Sequence, residues 1–100
     1  MKRPEKEKNL LNKVKECIES GRYYDTRHAT DRQNERLITR LEILQIFKTG
    51  FHEAKKDKFD EVYKAWNYAI RGRTLDKKYL RIIVSFDRHQ MLIITALQLK

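Results

Sequence analysis

At Gly50 the apolar period of this chain changes from about 3.6 residues to about 2. A chain that is helical before such a point and extended after it keeps its helices apart from its strands, which is the pattern of an α+β domain. The helix that ends there is written in full. Thr39 and Glu42 form a Thr-x-x-Glu capping box, Ile38 and Ile43 occupy the two hydrophobic staple positions, and Lys48, Thr49 and Gly50 close the last turn. This capped helix is expected to bury Leu41, Leu44 or Ile43, and Phe47.

Upstream, Pro4 suits a first helical turn, and Leu10, Leu11, Val14, Cys17 and Ile18 recur on one helical face before Ser20 and Gly21 stop it. This predicts a helix from about residue 4 to residue 19. Tyr23 to Thr26 reads as extended or turn-like, with Thr26 a cap for a short second helix. Downstream, Phe51 to Ala54 is a short strand, and the polar stretch from Lys55 to Lys64 is a connection with Phe59 and Tyr63 turned inward. Trp66, Tyr68 and Ile70 alternate with polar or small residues, as do Leu80, Ile82, Val84 and Phe86, and Met91 to Leu99 is rich in β-branched residues. Gly72 with Asp76, Lys77 and Lys78 supplies one turn, and residues 87–90 the next. The expected architecture is α+β, with N-terminal helices on one face of a three- or four-stranded antiparallel sheet. One domain of residues 1–100 is expected: an N-terminal helical part (1–21), a basic short helix with the capped helix (22–50), and the sheet (51–100).

Charge then narrows the function. The chain carries 23 Lys and Arg against 14 Asp and Glu, a formal net charge of +9 with no basic tail. A basic surface spread over a folded domain favours polyanionic partners such as RNA, DNA or an acidic protein. Cys17 is the sole cysteine, so neither an intrachain disulfide nor a cysteine zinc cluster can form and a reducing cytoplasm fits. The longest apolar run, Met91 to Leu97, is far shorter than the roughly 20 residues that cross a bilayer; no membrane role is expected. His28, His52 and His89 follow no metal-ligand spacing, the three glycines make no phosphate-cradling loop, and no cofactor or metal is expected.

His28, Arg32 and Arg36 are spaced four apart, so on a helix they form one cationic stripe with a nitrogen that titrates near neutral pH. Such a set is competent for metal-independent RNA cleavage. A base takes the 2′-hydroxyl proton, an acid protonates the leaving 5′-oxygen, and cations stabilise charge on phosphorus. The neighbouring arginines favour the neutral imidazole that a base requires. The alternative is a solvated helix face whose arginines pair with Asp25, Asp31 or Glu35. Lys55, Arg71, Arg73, Lys78 and Arg81 add cations around the sheet's loops for nucleic-acid binding. Arg71, Arg73 and Arg81 are expected to share a groove with Tyr68, a stacking or proton-donating ring; their alternative is strand-edge charge that suppresses aggregation. Thr95, within an apolar strand, needs a hydrogen-bond partner if buried.

His28-Ala29 with Arg32 and Arg36, then Ile38 and the capped helix ending at Gly50, then Gly72-x-Thr74 with Leu80 and an Ile/Val strand, then Ile93-Ile94-Thr95, together resemble a bacterial family known as domain of unknown function 4258. The resemblance covers about residues 23 to 99; Leu37 departs from it, standing where the family favours Gly. The implied layout is similar to that of RelE, ParE and MqsR type toxins. That likeness implies a small endoribonuclease acting on free or ribosome-bound RNA and neutralised by an antitoxin; the residues themselves suggest His28, Arg32, Arg36 and Tyr68 as its catalytic set. The other expectation is a non-catalytic module that binds nucleic acid or protein.

Overall fold

In the computed structural model, residues 3–26 and 38–99 are described. Helix α1 spans Leu10–Ser20 and buries Leu10, Val14 and Cys17, residues three and four apart on one face. It ends on Gly21, whose φ of 72° is left-handed and whose N–H closes back on the helix. The helix starts six residues later than its sequence predicts. The indole Nε1 of Trp66 donates to the Pro4 carbonyl (2.8 Å), and the Glu7 N–H donates to the Tyr68 hydroxyl (2.9 Å). Side chains of the sheet thus engage backbone groups of residues 3–9, which cross the sheet as an irregular arm.

Strand β1 (Tyr23–Asp25) follows, then helix α2 (Arg40–Thr49), β2 (Phe51–His52), a single 3₁₀ turn (Ala54–Lys56), β3 (Lys58–Asp60), β4 (Ala65–Arg73), β5 (Tyr79–Phe86) and β6 (Met91–Leu99). The sheet runs β1-β6-β5-β4-β2, with β3 also pairing to β4. The class is α+β, as expected, but the sheet has six strands rather than three or four. Two of the additions, β1 and β3, are three residues each, too short to display a period. Furthermore, β1 runs parallel to β6, Tyr23 opposite Met91, a pairing between distant segments with no hairpin signal to announce it.

The capping box is present as written: the Thr39 side chain accepts from the Glu42 N–H (3.1 Å), and the Glu42 carboxylate accepts from the Thr39 N–H (2.9 Å). Both staple residues, Ile38 and Ile43, are buried. Thr39→Ala is expected to cost about 1 kcal/mol, read as a lower urea midpoint with an unchanged slope. Helix α2 buries Ile43, Ile46 and Phe47 against β4 and β5. Leu41 is 79% exposed, because two residues before Ile43 is roughly 200° round the helix from the buried face. The core continues through Tyr68, Ile70, Leu80, Ile82, Val84, Met91 and Ile93 on the helix side of the sheet, each large aliphatic contributing about 1.5–3 kcal/mol by burial.

Phe59 packs edge-on against Trp66, centroids 5.4 Å apart, but Tyr63 is 81% exposed rather than turned inward. It stands in a turn whose Val62 and Tyr63 N–H groups both donate to the Asp60 carboxylate, so the backbone there is satisfied without burying the ring. The β4–β5 turn comes after Arg73, with Thr74 accepting from the Lys78 N–H and Lys77 at a φ of 66°. Gly72 stays within β4.

Candidate functional site

His28, Arg32 and Arg36 lie outside the described residues. The flanks of their segment are described, and they meet. Asp25 at the end of β1 pairs with Arg40 at the start of α2, and the Arg40 guanidinium sits 5.7 Å from the Tyr23 ring centroid. Thr26 donates its N–H to the Ile93 carbonyl (3.0 Å) and its hydroxyl to that of Ile94 (3.3 Å). Thr26 is therefore fixed to the edge of β6, and the end of β1 is fixed to the start of α2.

The other sequence-predicted residues are dispersed. Tyr68 is a core residue, 4% exposed. Burial pushes its phenol pKa up, although the Glu7 N–H opposes this, so the ring is protonated at neutral pH. Arg71 and Arg81 face each other across β4 and β5 and share Glu53, which Arg81 Nε meets at 2.7 Å and Arg71 Nη1 at 3.3 Å. The hydrogen bond from Arg81 holds the Glu53 carboxyl below its ordinary range, against the opposing effect of burial and with help from Arg71. Three residues separate Tyr68 from Arg71 on an alternating strand, so they face opposite sides of the sheet; the expected shared groove does not form. Lys78 binds Glu42 at 2.6 Å, on the same carboxylate that completes the capping box. Burial of Glu42 opposes its ionisation, but the bonds from Lys78 and Thr39 win and its pKa is lowered. Lys55 and Arg73 are exposed.

A cleft of about 1050 Å³ opens at the Trp66 end of the sheet. Tyr24, Tyr63, Trp66 and Phe86 give it aromatic walls, Lys13, Lys64 and Arg88 give it cations, and Thr26 closes one side. Its carboxylates are largely engaged. Asp60 and Asp87 accept backbone N–H groups of their own turns, and Glu7 pairs with Lys13 at 2.6 Å. Rings with cations at their margins suit bases and phosphates respectively. His28 follows Thr26 by two residues in the sequence.

A second cluster had no signal in the sequence. The Asp57 side chain is fully buried and holds His52 Nε2 at 2.7 Å, Lys6 Nζ at 3.0 Å and the Ala69 N–H at 3.0 Å. The His52 ring lies edge-on to Tyr68, centroids 5.8 Å apart. Where β4 passes from pairing with β2 to pairing with β3, the Asp57 carboxylate stands in for a strand and satisfies Ala69. A buried charge with three donors is a structural arrangement. The five-residue separation of His52 and Asp57 matches no local motif, which is why the pair could not be read in advance. Among the described residues, two buried oxygens have no hydrogen-bond partner: Asp25 Oδ1 and Thr95 Oγ1. Among the described residues, no three His, Cys, Asp or Glu side chains gather to hold a metal ion.

The sequence profile of a domain of unknown function (DUF4258) matches residues 26–98. The chain belongs to the DUF4258 family. Comparison with curated proteins and with solved structures gives no match. The DUF4258 match begins at Thr26, on the wall of the cleft, and contains the basic segment, α2 and strands β2 to β6 up to Gln98. The irregular arm and α1 precede it. Asp57 falls within the DUF4258 region, and its removal tests the structural reading. Asp57→Ala is expected to cost about 2–3 kcal/mol, mostly through the orphaned Ala69 N–H, since water reaching Lys6 and His52 weakens the ionic part. Asp57→Asn keeps an acceptor and is expected to lose less. Urea titrations of both variants measure the difference, and a loss under about 0.5 kcal/mol for Asp57→Ala would remove the structural role. Among the described residues no helix is long and apolar enough to cross a membrane.

Proposed function

We propose that this protein is a metal-independent endoribonuclease of toxin type, with a helices-then-sheet layout similar to that of RelE, ParE and MqsR type toxins, working on RNA in the cytoplasm and held in check by an antitoxin. The observation that carries the reading is the aromatic and basic cleft whose wall ends at Thr26, two residues before the segment with His28, Arg32 and Arg36. RNA bases stack on the cleft rings, and the chain leads directly from that surface to an imidazole and two guanidinium groups. His28 takes the 2′-hydroxyl proton, the 2′-oxygen attacks phosphorus, and Arg32 and Arg36 balance charge on the phosphorane. The 5′-oxygen then leaves, taking a proton from solvent water, and gives a 2′,3′-cyclic phosphate and a 5′-hydroxyl end. Exposed Lys55 and Arg73 serve the RNA backbone. Arg71, Arg81 and Lys78 contribute less, because the two arginines share Glu53 and Lys78 pairs with Glu42.

One observation favours the second reading, a binding module without cleavage. With the arm in place, the Tyr68 hydroxyl is buried and accepts the Glu7 N–H, so it supplies no accessible second proton-transfer group. The purified protein incubated with single-stranded RNAs and with ribosome-bound message, in excess EDTA, tests both. Products ending in a cyclic phosphate support the nuclease. Saturable, steeply salt-dependent binding without products supports the module, and neither result overturns both.

A further inference from the structure

Residues 3–9 have no regular secondary structure, yet they lie over the most aromatic part of the sheet. Lys6 Nζ stands 4.8 Å from the Trp66 ring centroid, and the Arg3 guanidinium is 5.0 Å from that of Phe59 and 5.9 Å from that of Trp66. The Trp66 indole N–H is taken by the Pro4 carbonyl and the Tyr68 hydroxyl by the Glu7 N–H. The ring donors and acceptors that Trp66 and Tyr68 could offer to a base are therefore occupied by the chain itself.

The arm is anchored by polar contacts alone. Arg3 and Glu61 form an ion pair with both side chains more than half exposed, and Lys6, 38% exposed, reaches the buried Asp57. None of residues 3–9 is buried, so no apolar side chain pins the arm. Segments held by polar contacts with no apolar side chain buried open locally more often than the whole fold unfolds. Opening uncovers an indole face, an indole N–H donor and a phenol hydroxyl on one wall of the cleft. That combination stacks and hydrogen-bonds a nucleobase.

We propose that the N-terminal arm is a displaceable strap, in which Arg3 and Lys6 occupy the nucleobase-stacking surface of Trp66 and Phe59 until single-stranded RNA replaces them. This rests on RNA as the ligand but not on cleavage. Trp66 is the only tryptophan, so its fluorescence reports the strap directly.

The test compares the wild-type chain with Arg3→Ala/Lys6→Ala and with Arg3→Ala alone, which leaves Asp57 its lysine; circular dichroism checks the fold of each. The probe is a 2′-O-methyl oligonucleotide, which binds without being cleaved. Both variants are expected to show stronger acrylamide quenching of Trp66. The double variant is expected to bind the probe about fivefold more tightly, because less of the binding-competent state is hidden. The sign is decisive, since deleting two cations weakens ordinary phosphate binding. Weaker binding by the double variant, with a shallower salt slope, would make Arg3 and Lys6 phosphate ligands and overturn the strap. Probe binding that leaves Trp66 fluorescence unchanged would overturn it as well, even if the wild type cleaves RNA. Tighter, Trp66-detected binding without any cleavage would uphold the strap while the nuclease reading failed.

Discussion

Replacement of His28 by alanine is expected to slow RNA cleavage by about 10²–10⁴-fold and to leave the urea midpoint where it was. The magnitude is that of a lost general base or acid. The 2′-hydroxyl is too weak an acid to attack phosphorus unaided at neutral pH, and His28 is the one group in its segment that exchanges a proton there. Arg32 and Arg36 are always charged and stabilise the phosphorane without replacing the base. Binding of the 2′-O-methyl oligonucleotide is expected to stay within about twofold, because one neutral imidazole adds little to the counterion-release driving force. A variant that keeps a tenth of the activity or more would assign proton transfer elsewhere. A lowered urea midpoint would make His28 a structural residue instead.

The second large effect is on folding. Gly50→Ala is expected to cost about 3 kcal/mol and to lower the melting temperature by roughly 15 °C. The reason is space rather than backbone conformation, for Gly50 has a φ of −79° that any residue adopts. A Cβ at this position would lie 2.6 Å from the Arg71 carbonyl oxygen and 2.6 Å from that of Ile46. Both are backbone atoms, and the Ile46 carbonyl already accepts the Gly50 N–H at 2.7 Å. Neither can swing aside as a flexible side chain would. Relief requires the end of α2 to lift from β4, which disturbs the β2 pairing that starts at the next residue. Gly21 is the contrasting case: nothing lies within 4 Å of its Cβ position, but its φ is 72°. Gly21→Ala is therefore confined to the backbone cost of about 1–2 kcal/mol. Thermal melts of the two variants separate crowding from conformation, and equal losses would refute the distinction.

Local rules made several elements legible. Thr39, Glu42, Ile38 and Ile43 announced the start of α2 because a capping box and its staple are satisfied within five or six residues. The alternation in Trp66 to Ile70 and Leu80 to Phe86 announced β4 and β5 because a half-buried strand must repeat every second residue. Leu41 misled because an apolar residue in the first turn need not lie on the buried face. Residues 4–9 misled because helical propensity was outweighed by bonds to Trp66 and Tyr68, some 60 residues away. Of the candidate site, the cationic segment was legible from its spacing, whereas the cleft beside it was not. That cleft is assembled from the arm, the β3–β4 turn and the ends of β1, β5 and β6, which no local pattern relates.

By itself, then, the change of period at Gly50 determined the α+β class, and spacing and charge marked the segment worth testing. Only the tertiary structure decided which cations are already compensated, which face Tyr68 takes, what satisfies Asp57 and what lies over Trp66. The division has a physical cause. Periodicity, caps and turns are settled by neighbours within one or two turns of chain, but the partner of a charge or a ring is set by which distant segments the core draws together.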